Sequence, residues 1–287
     1  MTHFHSQTLR AIDANLDRAA EGLRVLEDVA RFCLDSLTIA SELKNLRNQF
    51  LESIPFTSIE LTSARNSSSD VGRNPEAQKL QSSSIGDTIT ANARRVEQSM
   101  RVLEELARLP DSGLNGVIFE EIRYRVYDLE KELTGAVGRL QKMDRLGVRY
   151  LITNSAEAAS NALGEPGTTA QLNEGSSGRG ELWQQSLILS GSRLVDKGLF
   201  IIGEYADIAV AVNADGVSID GSSLPPQTVR KLLPVDQLIG YAAGNVDEAV
   251  RAANGGVDYL ICTETLKNTL NGRVGIPIVI PHGSLGV

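Results

Sequence analysis

An internal duplication constrains this chain more than any other feature of its sequence. When the sequence is shifted by 77 residues, residues 14–31 lie over residues 91–108, and nine of the 18 aligned pairs are identical. About one identity would be expected by chance, so the two segments are copies of one unit. Apolar residues recur in both copies at steps of three and four, the spacing of a helix with one apolar face. The fold must therefore hold two equivalent amphipathic helices.

Each copy begins a predicted helical hairpin. Helical spacing covers residues 9–34, 39–54, 85–109 and 117–140, with Pro55 and Pro110 as plausible stops. The polar stretch 63–73 predicts a loop between the two hairpins. We expect the hairpins to pack about a pseudo-twofold axis as a four-helix bundle.

The composition changes near Gly147. Only seven of the 26 glycines precede this residue, and short apolar runs follow it at 149–153, 198–202, 215–219, 237–240 and 257–261. Helical patterns at 206–213, 226–233 and 246–254 separate several of these runs, which predicts a parallel sheet with crossover helices. The predicted fold class is α + α/β. An all-helical duplicated bundle (residues 1–146) precedes a shortened (β/α) TIM-barrel-like domain (147–287), too short for a full eight-strand barrel of about 200 residues or more.

Charge and composition exclude several kinds of protein. A net charge of −8 disfavours a nucleic-acid binder, and no apolar run approaches the length of a membrane span. Two distant cysteines, Cys33 and Cys262, make a disulfide framework improbable, and the three histidines lie near the termini, which disfavours a histidine-based site. No secretory signal is apparent at the start. We expect a cytoplasmic protein that binds small molecules, with a homodimer left open.

The polar residues that both copies retain form the first candidate site, because packing alone does not require them. Asn15 with Arg18, and Asn92 with Arg95, lie along one edge of the apolar stripe. An amide beside a guanidinium fork suits a phosphate group. We predict that Arg18 and Arg95 are catalytic and that Asn15 and Asn92 bind phosphate.

Further charged residues lie one or two turns along the same helices. We predict that Glu27 and Glu104 are catalytic carboxylates and that Arg24 and Arg101 bind phosphate. We predict that Asp28 and Glu105 are ligands of a hydrated Mg²⁺. The alternative for each is an ordinary i, i+4 ion pair on a solvated face.

The predicted loop holds two more candidates. Arg65 is a candidate phosphate ligand and Asp70 a candidate catalytic residue that acts with magnesium. The alternative is a surface connection without chemistry.

Residues 13–28, 69–72 and 91–105 resemble a small helical family that occurs alone or fused ahead of bacterial thiamine-phosphate synthase. The resemblance covers about residues 7–146. It implies phosphorylation of hydroxymethylpyrimidine phosphate to the diphosphate, with ATP as cofactor, and the carboxylates predicted above would hold the Mg²⁺. No Gly-x-x-x-x-Gly-Lys-Ser/Thr loop is present, so ATP would bind at a site of another kind.

The second half resembles the synthase barrel with altered polar residues. Where that family has Gln-Leu-Arg-Glu-Lys, residues 171–175 read Gln-Leu-Asn-Glu-Gly, and Ile-Ile-Asn-Asp-Arg is replaced by Ile-Ile-Gly-Glu-Tyr at 201–205. Ser223 stands at the position of a family aspartate. Glu204 is then the one carboxylate left that could hold Mg²⁺. The resemblance implies a barrel that keeps the fold of the family but has lost its catalytic activity.

Three hypotheses follow. The leading one is a kinase for the pyrimidine phosphate in the helical domain, with a non-catalytic barrel. The second is a thiamine-phosphate synthase that joins the pyrimidine diphosphate to a thiazole phosphate. The third is a non-enzymatic binding or assembly protein.

Overall fold

A computed structural model describes residues 3–66, 84–110, 112–147, 149–192 and 198–282, with side chains from residue 7. The chain divides into two compact units, Met1–Val137 and Gly138–Val287. The predicted fold class is confirmed: a helical region precedes a barrel-like α/β region. The domain division at residues 146 and 147 stays a prediction. In the described part of the chain, no helix is long and apolar enough to cross a membrane.

The first unit consists of helices, and the four long predicted helices are all present. They are α1 (His3–Asp28), α2 (Leu37–Glu52), α4 (Ile85–Ala107) and α5 (Gly116–Asp144), with the short α3 (Ser58–Ala64) between the hairpins. A π-helical turn, Val29–Cys33, continues α1. Helix α3 overlaps the first residues of the predicted loop. A capping box formed by Thr57 and Glu60 stabilises the start of this helix.

The two duplicated helices, α1 and α4, pack directly on each other. Gly22 lies at their closest approach, where a β-carbon would come within 2.6 Å of Val96 Cγ2 and 3.1 Å of the Asn92 carbonyl oxygen. The apolar faces of both helices are buried in one core with α2 and α5, in which Phe50 and Phe119 meet edge to face. The helical spacing in the sequence therefore encodes this bundle.

The second unit is a parallel sheet of seven strands in sequence order. The strands are β1 (Arg149–Thr153), β2 (Thr168–Leu172), β3 (Gly198–Gly203), β4 (Gly216–Ile219), β5 (Leu238–Ala242), β6 (Tyr259–Ile261) and β7 (Ile278–Val279). A parallel bridge joins Tyr150 of β1 to Pro281 after β7, and the His282 N–H donates to the Tyr150 carbonyl at 2.7 Å. The seven strands thus come close to a closed barrel.

Helices connect the strands and cover the outside of the barrel. They are α6 (Ala156–Leu163), α7 (Arg179–Ser192), α8 (Ala206–Ala211), α9 (Pro226–Leu232), α10 (Val246–Asn254) and α11 (Glu264–Leu270). The last turns of α5 belong to this unit, where the Lys142 ammonium donates to the Asp236 carboxylate at 2.8 Å. One apolar core lies between sheet and helices, and a smaller one, with Tyr150 and Tyr259, fills the barrel interior.

Candidate functional site

The carboxyl ends of the strands form the edge where barrel enzymes place their sites. Asn173 follows β2, Glu204 follows β3 and Asp220 follows β4. Backbone hydrogen bonds continue the ladder at this edge: Asn173 N–H donates to Thr153 O at 2.8 Å and Glu204 N–H to Ser218 O at 2.7 Å. The three polar side chains therefore leave adjacent strands at one edge of the sheet.

Glu204, the predicted magnesium ligand of the barrel, has an unusual backbone. Its φ is 65°, in the left-handed region that a glutamate seldom adopts, and its side chain is exposed. Such strain persists where the surroundings enforce it, and it clusters at functional sites. Next to it, the Tyr205 hydroxyl donates to the Glu174 carboxylate, and this hydrogen bond, burial and the charges of Glu174 and Glu204 raise the pKa of Tyr205.

Asp220 is a carboxylate at this edge that the sequence analysis missed. It accepts hydrogen bonds from the Ser222 N–H at 2.8 Å, the Ser222 hydroxyl at 2.7 Å and the Ser223 hydroxyl at 3.3 Å. The Ser222 hydroxyl lowers the pKa of Asp220 more than burial raises it, so the carboxylate stays ionised. The Asp-Gly-Ser-Ser sequence after a buried strand is typical of an Asx turn and could have revealed it. Glu204 is therefore not the only carboxylate left at these strand ends.

Asn173 and Gly203, both altered relative to the family pattern, are packed against each other. A β-carbon on residue 203 would lie 2.2 Å from Asn173 Oδ1. The same Oδ1 accepts a hydrogen bond from Gln171 Nε2 at 2.7 Å. The Tyr150 hydroxyl donates to Gln171 Oε1 at 2.7 Å and lies 3.0 Å from the Tyr259 hydroxyl. A line of hydrogen bonds therefore runs from the barrel interior to the strand ends.

The strand-end segments carry negative charge. Residues 173–175, 203–205 and 220–223 contain Glu174, Glu204 and Asp220 but no lysine or arginine. Arg179, at the start of α7, pairs with Asp207. Among the described residues, no three histidine, cysteine or acidic side chains group as a metal site would require. A metal here would rest on two carboxylates and on the oxygens of its substrate.

In the helical unit, the predicted catalytic glutamates are engaged by arginines. Glu27 accepts from Arg24 Nη1 at 3.2 Å and from Arg47 Nε at 3.1 Å. The second copy repeats the arrangement: Glu104 accepts from Arg101 Nη1 at 2.8 Å and from Arg123 Nε at 2.5 Å. Burial alone would raise the pKa of Glu104, but the two arginines lower it overall. The duplicated carboxylates thus tie the two helices of each hairpin together.

The predicted magnesium ligands of this unit also lie beside arginines. Arg24 Nη2 is 3.2 Å from Asp28 Oδ1, and Arg101 Nη2 is 2.6 Å from Glu105 Oε1. These are the i, i+4 pairs of the alternative interpretation. As metal ligands, Asp28 and Glu105 stay predictions.

The duplicated asparagines bond to their own helices. Asn15 Nδ2 donates to the Ala11 carbonyl and Asn92 Nδ2 to the Thr88 carbonyl, both at 2.8 Å. Asn92 Oδ1 also accepts from Arg95 Nη1 at 2.8 Å. Arg18 is exposed, and its side chain forms no ion pair or hydrogen bond within the described residues. Arg18, predicted to be catalytic, is thus open to an anion.

Arg65 binds acidic residues of α1. Its guanidinium donates to both Asp13 oxygens, at 2.6 and 2.9 Å, and to Asp17 Oδ2 at 2.8 Å. These ion pairs connect the end of α3 to α1, so Arg65 has a structural role whether or not it also binds phosphate. Asp70, the other candidate of this segment, lies outside the described residues.

These features define a class of protein: a duplicated helical bundle joined to a (β/α) barrel whose strand ends carry the candidate site. A model described as the ThiD2 family matches residues 10–132, and one described as thiamine monophosphate synthase matches residues 149–270. A thiamine-phosphate synthase of a Synechocystis species is 35% identical over 258 residues, covering 88% of this chain and 73% of that protein. The chain belongs to the thiamine-phosphate synthase family, a family of thiamine biosynthesis.

Two further proteins illustrate the range of the similarity. A thiamine-phosphate synthase of Rhodopirellula baltica is 31% identical, covering 92% of this chain and 74% of its own length. A solved thiamine phosphate pyrophosphorylase from Pyrococcus furiosus is 23% identical with a TM-score of 0.45, covering 50% of this chain and 78% of its own. The predicted resemblance to a thiamine-biosynthesis fusion is confirmed at the level of its two domains.

Proposed function

We propose that this chain is a thiamine-phosphate synthase, which joins a pyrimidine diphosphate to a thiazole phosphate and releases diphosphate. One observation carries the proposal: proteins named thiamine-phosphate synthase match this chain across both units rather than over the barrel alone. This was the second hypothesis from the sequence. The similarity supports it better than the leading one, a kinase with a non-catalytic barrel.

The strand-end carboxylates suit the magnesium ion that such a reaction would use. Mg²⁺ prefers oxygen ligands and typically binds one or two carboxylates together with substrate phosphates. Glu204 and Asp220 offer two carboxylates on adjacent strands, and the hydrogen bonds from Ser222 and Ser223 fix Asp220 in an ionised form. When bound, Mg²⁺ would neutralise the charge of the departing diphosphate.

The neutral polar side chains at this edge would orient the substrate. Asn173 Oδ1 is held by Gln171, which leaves the Asn173 amide N–H groups to donate to a phosphate oxygen. Gln171 is in turn held by Tyr150, so the amide of Asn173 is positioned from the barrel interior. Neutral donors bind phosphate less strongly than arginine or lysine. We therefore expect weak diphosphate binding, seen as a high KM, and a strict need for Mg²⁺.

A second candidate is phosphorylation of hydroxymethylpyrimidine phosphate by the helical unit with MgATP. The observation that favours it is the pair of duplicated arginines, of which Arg18 is exposed and without an ion pair in the described residues. If this candidate holds, Arg18→Ala and Arg95→Ala should each lower phosphoryl transfer by at least about 10²-fold. Helix content should stay unchanged, because alanine suits a helix interior.

One experiment distinguishes the candidates. The purified full chain is incubated with pyrimidine diphosphate, thiazole phosphate and Mg²⁺ in one series, and with hydroxymethylpyrimidine phosphate, ATP and Mg²⁺ in another. Thiamine phosphate in the first series supports the synthase, and pyrimidine diphosphate in the second supports the kinase. The absence of both products would favour the third hypothesis, a binding or assembly protein.

A further inference from the structure

A cavity of about 410 Å³ lies in the helical unit, between the π-helical turn that follows α1 and the first half of α2. Arg31 and Lys44 line it from the two helical segments, and Ser41 of α2 lines it as well. None of these three residues belongs to the barrel site or was a candidate in the sequence analysis, although the predicted catalytic residue Glu27 also lines the cavity. The cavity therefore needs an explanation of its own.

The two cations of this cavity are available to a ligand. Within the described part of the chain, neither Arg31 nor Lys44 forms an ion pair, and the Arg31 guanidinium lies 4.8 Å from the centre of the Phe32 ring. The wall also holds two carboxylates. Glu27 is already bound by Arg24 and Arg47, whereas Asp35 is exposed at the rim. Two uncompensated cations thus face one uncompensated carboxylate.

The second copy of the repeat keeps the arginine but holds it in an ion pair, and it lacks the lysine. Arg108, the counterpart of Arg31, pairs with Glu105 at 3.0 Å. At the shift of 76 residues that aligns the following helices, Glu120 stands opposite Lys44 and Val117 opposite Ser41.

The first copy also differs in its backbone. Helix α4 ends at Ala107 without a π-helical turn. The second copy therefore packs without this turn and without a lysine at the position of Lys44, and π-helical insertions are frequent at functional sites.

We propose that this cavity binds the phosphate group of a small phosphate monoester. Arg31 and Lys44 contact the phosphate oxygens, since charge-assisted hydrogen bonds to phosphate are the strong ones. The Ser41 hydroxyl supplies a neutral donor. Asp35 at the rim repels additional negative charge, so a monoester binds better than a diphosphate. This site belongs to the helical unit and does not depend on the synthase reaction.

Calorimetric titration of the full chain at constant ionic strength tests the proposal, with hydroxymethylpyrimidine phosphate as the probe and its unphosphorylated alcohol for comparison. Arg31→Gln and Lys44→Gln should each raise the Kd for the phosphate at least about tenfold, the scale for one charged hydrogen bond. Both side chains are exposed, so thermal unfolding should be unchanged. The matched control is Arg108→Gln, which alters the counterpart of Arg31 in the other copy and should bind like the parent.

The outcomes are distinct. The proposal is overturned if the alcohol binds as tightly as the phosphate, if both variants bind within twofold of the parent, or if Arg108→Gln weakens binding equally. Glu204→Gln serves as a barrel control and should leave this affinity unchanged. Binding that Glu204→Gln abolishes and Lys44→Gln preserves would place the phosphate in the barrel, against this proposal but in line with the synthase.

Discussion

Asn173 occupies the space that a side chain at position 203 would need, because a β-carbon there would lie 2.2 Å from Asn173 Oδ1. The resemblance to the synthase family implies arginine and asparagine at these two positions. Positions 173 and 203 are therefore sterically coupled, and the Asn173 side chain that fills this space is hydrogen-bonded to Gln171.

We predict that Gly203→Ala destabilises the protein by about 1–3 kcal/mol, the usual cost of overpacking a buried site. Asn173→Ala in the same chain should recover part of this loss, because it removes the atom that clashes. Urea unfolding of the two single variants and the double variant measures the coupling. Gly180→Ala, which meets open space on α7, is the control and should cost nothing. Additive effects of the two substitutions would contradict this steric coupling.

A second prediction concerns the ion pairs that join the helices of each hairpin. The Glu104 side chain is only 7% exposed and that of Arg123 12% exposed, whereas Arg101 is 52% exposed. Arg123→Leu should cost about 3–5 kcal/mol, because it leaves a buried carboxylate without its main partner. Arg101→Leu should cost far less, since exposed pairs contribute little.

Chemical denaturation of both variants near neutral pH provides the comparison. The pKa of Glu104 is lowered in the fold, so its ion pair stabilises the protein above the ordinary glutamate pKa and stops doing so as the pH falls through the lowered value. Glu104→Gln combined with Arg123→Leu should recover much of the lost stability. Equal losses for the two arginine variants would refute a buried role for Arg123.

Much of the fold follows from the period of the apolar residues. The four long helices and five of the strands lie where the spacing predicts them, because each buries one continuous apolar face. The apolar spacing predicts neither β2 nor the two-residue β7. In β2, Thr168, Thr169 and Gln171 are buried polar residues that break the apolar pattern. Sequence spacing cannot reveal a strand that buries polar side chains. Of these three, Gln171 is hydrogen-bonded by Tyr150, whereas the Thr168 and Thr169 hydroxyl groups have no partner among the described residues.

A third prediction uses a carboxyl group between α4 and α5. Burial first, and then the negative charge of Glu130, raise the pKa of Glu97 to about 7, while Arg94 and Arg123 act in the opposite direction. The folded protein therefore holds a proton that the unfolded chain releases at lower pH. Stability contributed by this group should fall as the pH rises from about 4.5 to about 7.

Glu97→Gln should remove that fall and stabilise the protein above neutral pH by about 1 kcal/mol, a value reduced because the group is partly exposed. Unfolding free energies at about pH 5 and about pH 8 give the measurement. Glu121→Gln, an exposed glutamate of α5, is the control. The same pH dependence in parent and Glu97→Gln would show that this carboxyl group titrates normally in the fold.

The contacts of the candidate site residues were harder to predict from the sequence than the fold. The repeat predicted Glu27 and Glu104 to be catalytic, which stays a prediction, whereas the structure shows them bound by Arg47 and Arg123 of the neighbouring helices. These contacts depend on tertiary packing, which spacing along one helix does not contain. Asp220 was missed for a related reason, since the matched family position is Ser223 and the carboxylate stands three residues earlier.

The most direct test of the account is the formation of thiamine phosphate from pyrimidine diphosphate and thiazole phosphate by the purified full chain, followed against Mg²⁺ concentration. We expect product that requires Mg²⁺, with a high KM for the diphosphate. Glu204→Gln and Asp220→Asn should each lower kcat/KM by at least about 10²-fold, the scale for losing a charged group that stabilises the transition state. Glu165→Gln, far from the strand ends on the loop after α6, should leave the rate unchanged. No thiamine phosphate at saturating substrate and Mg²⁺, or equal rates in the parent and both carboxylate variants, would contradict the proposed synthase site.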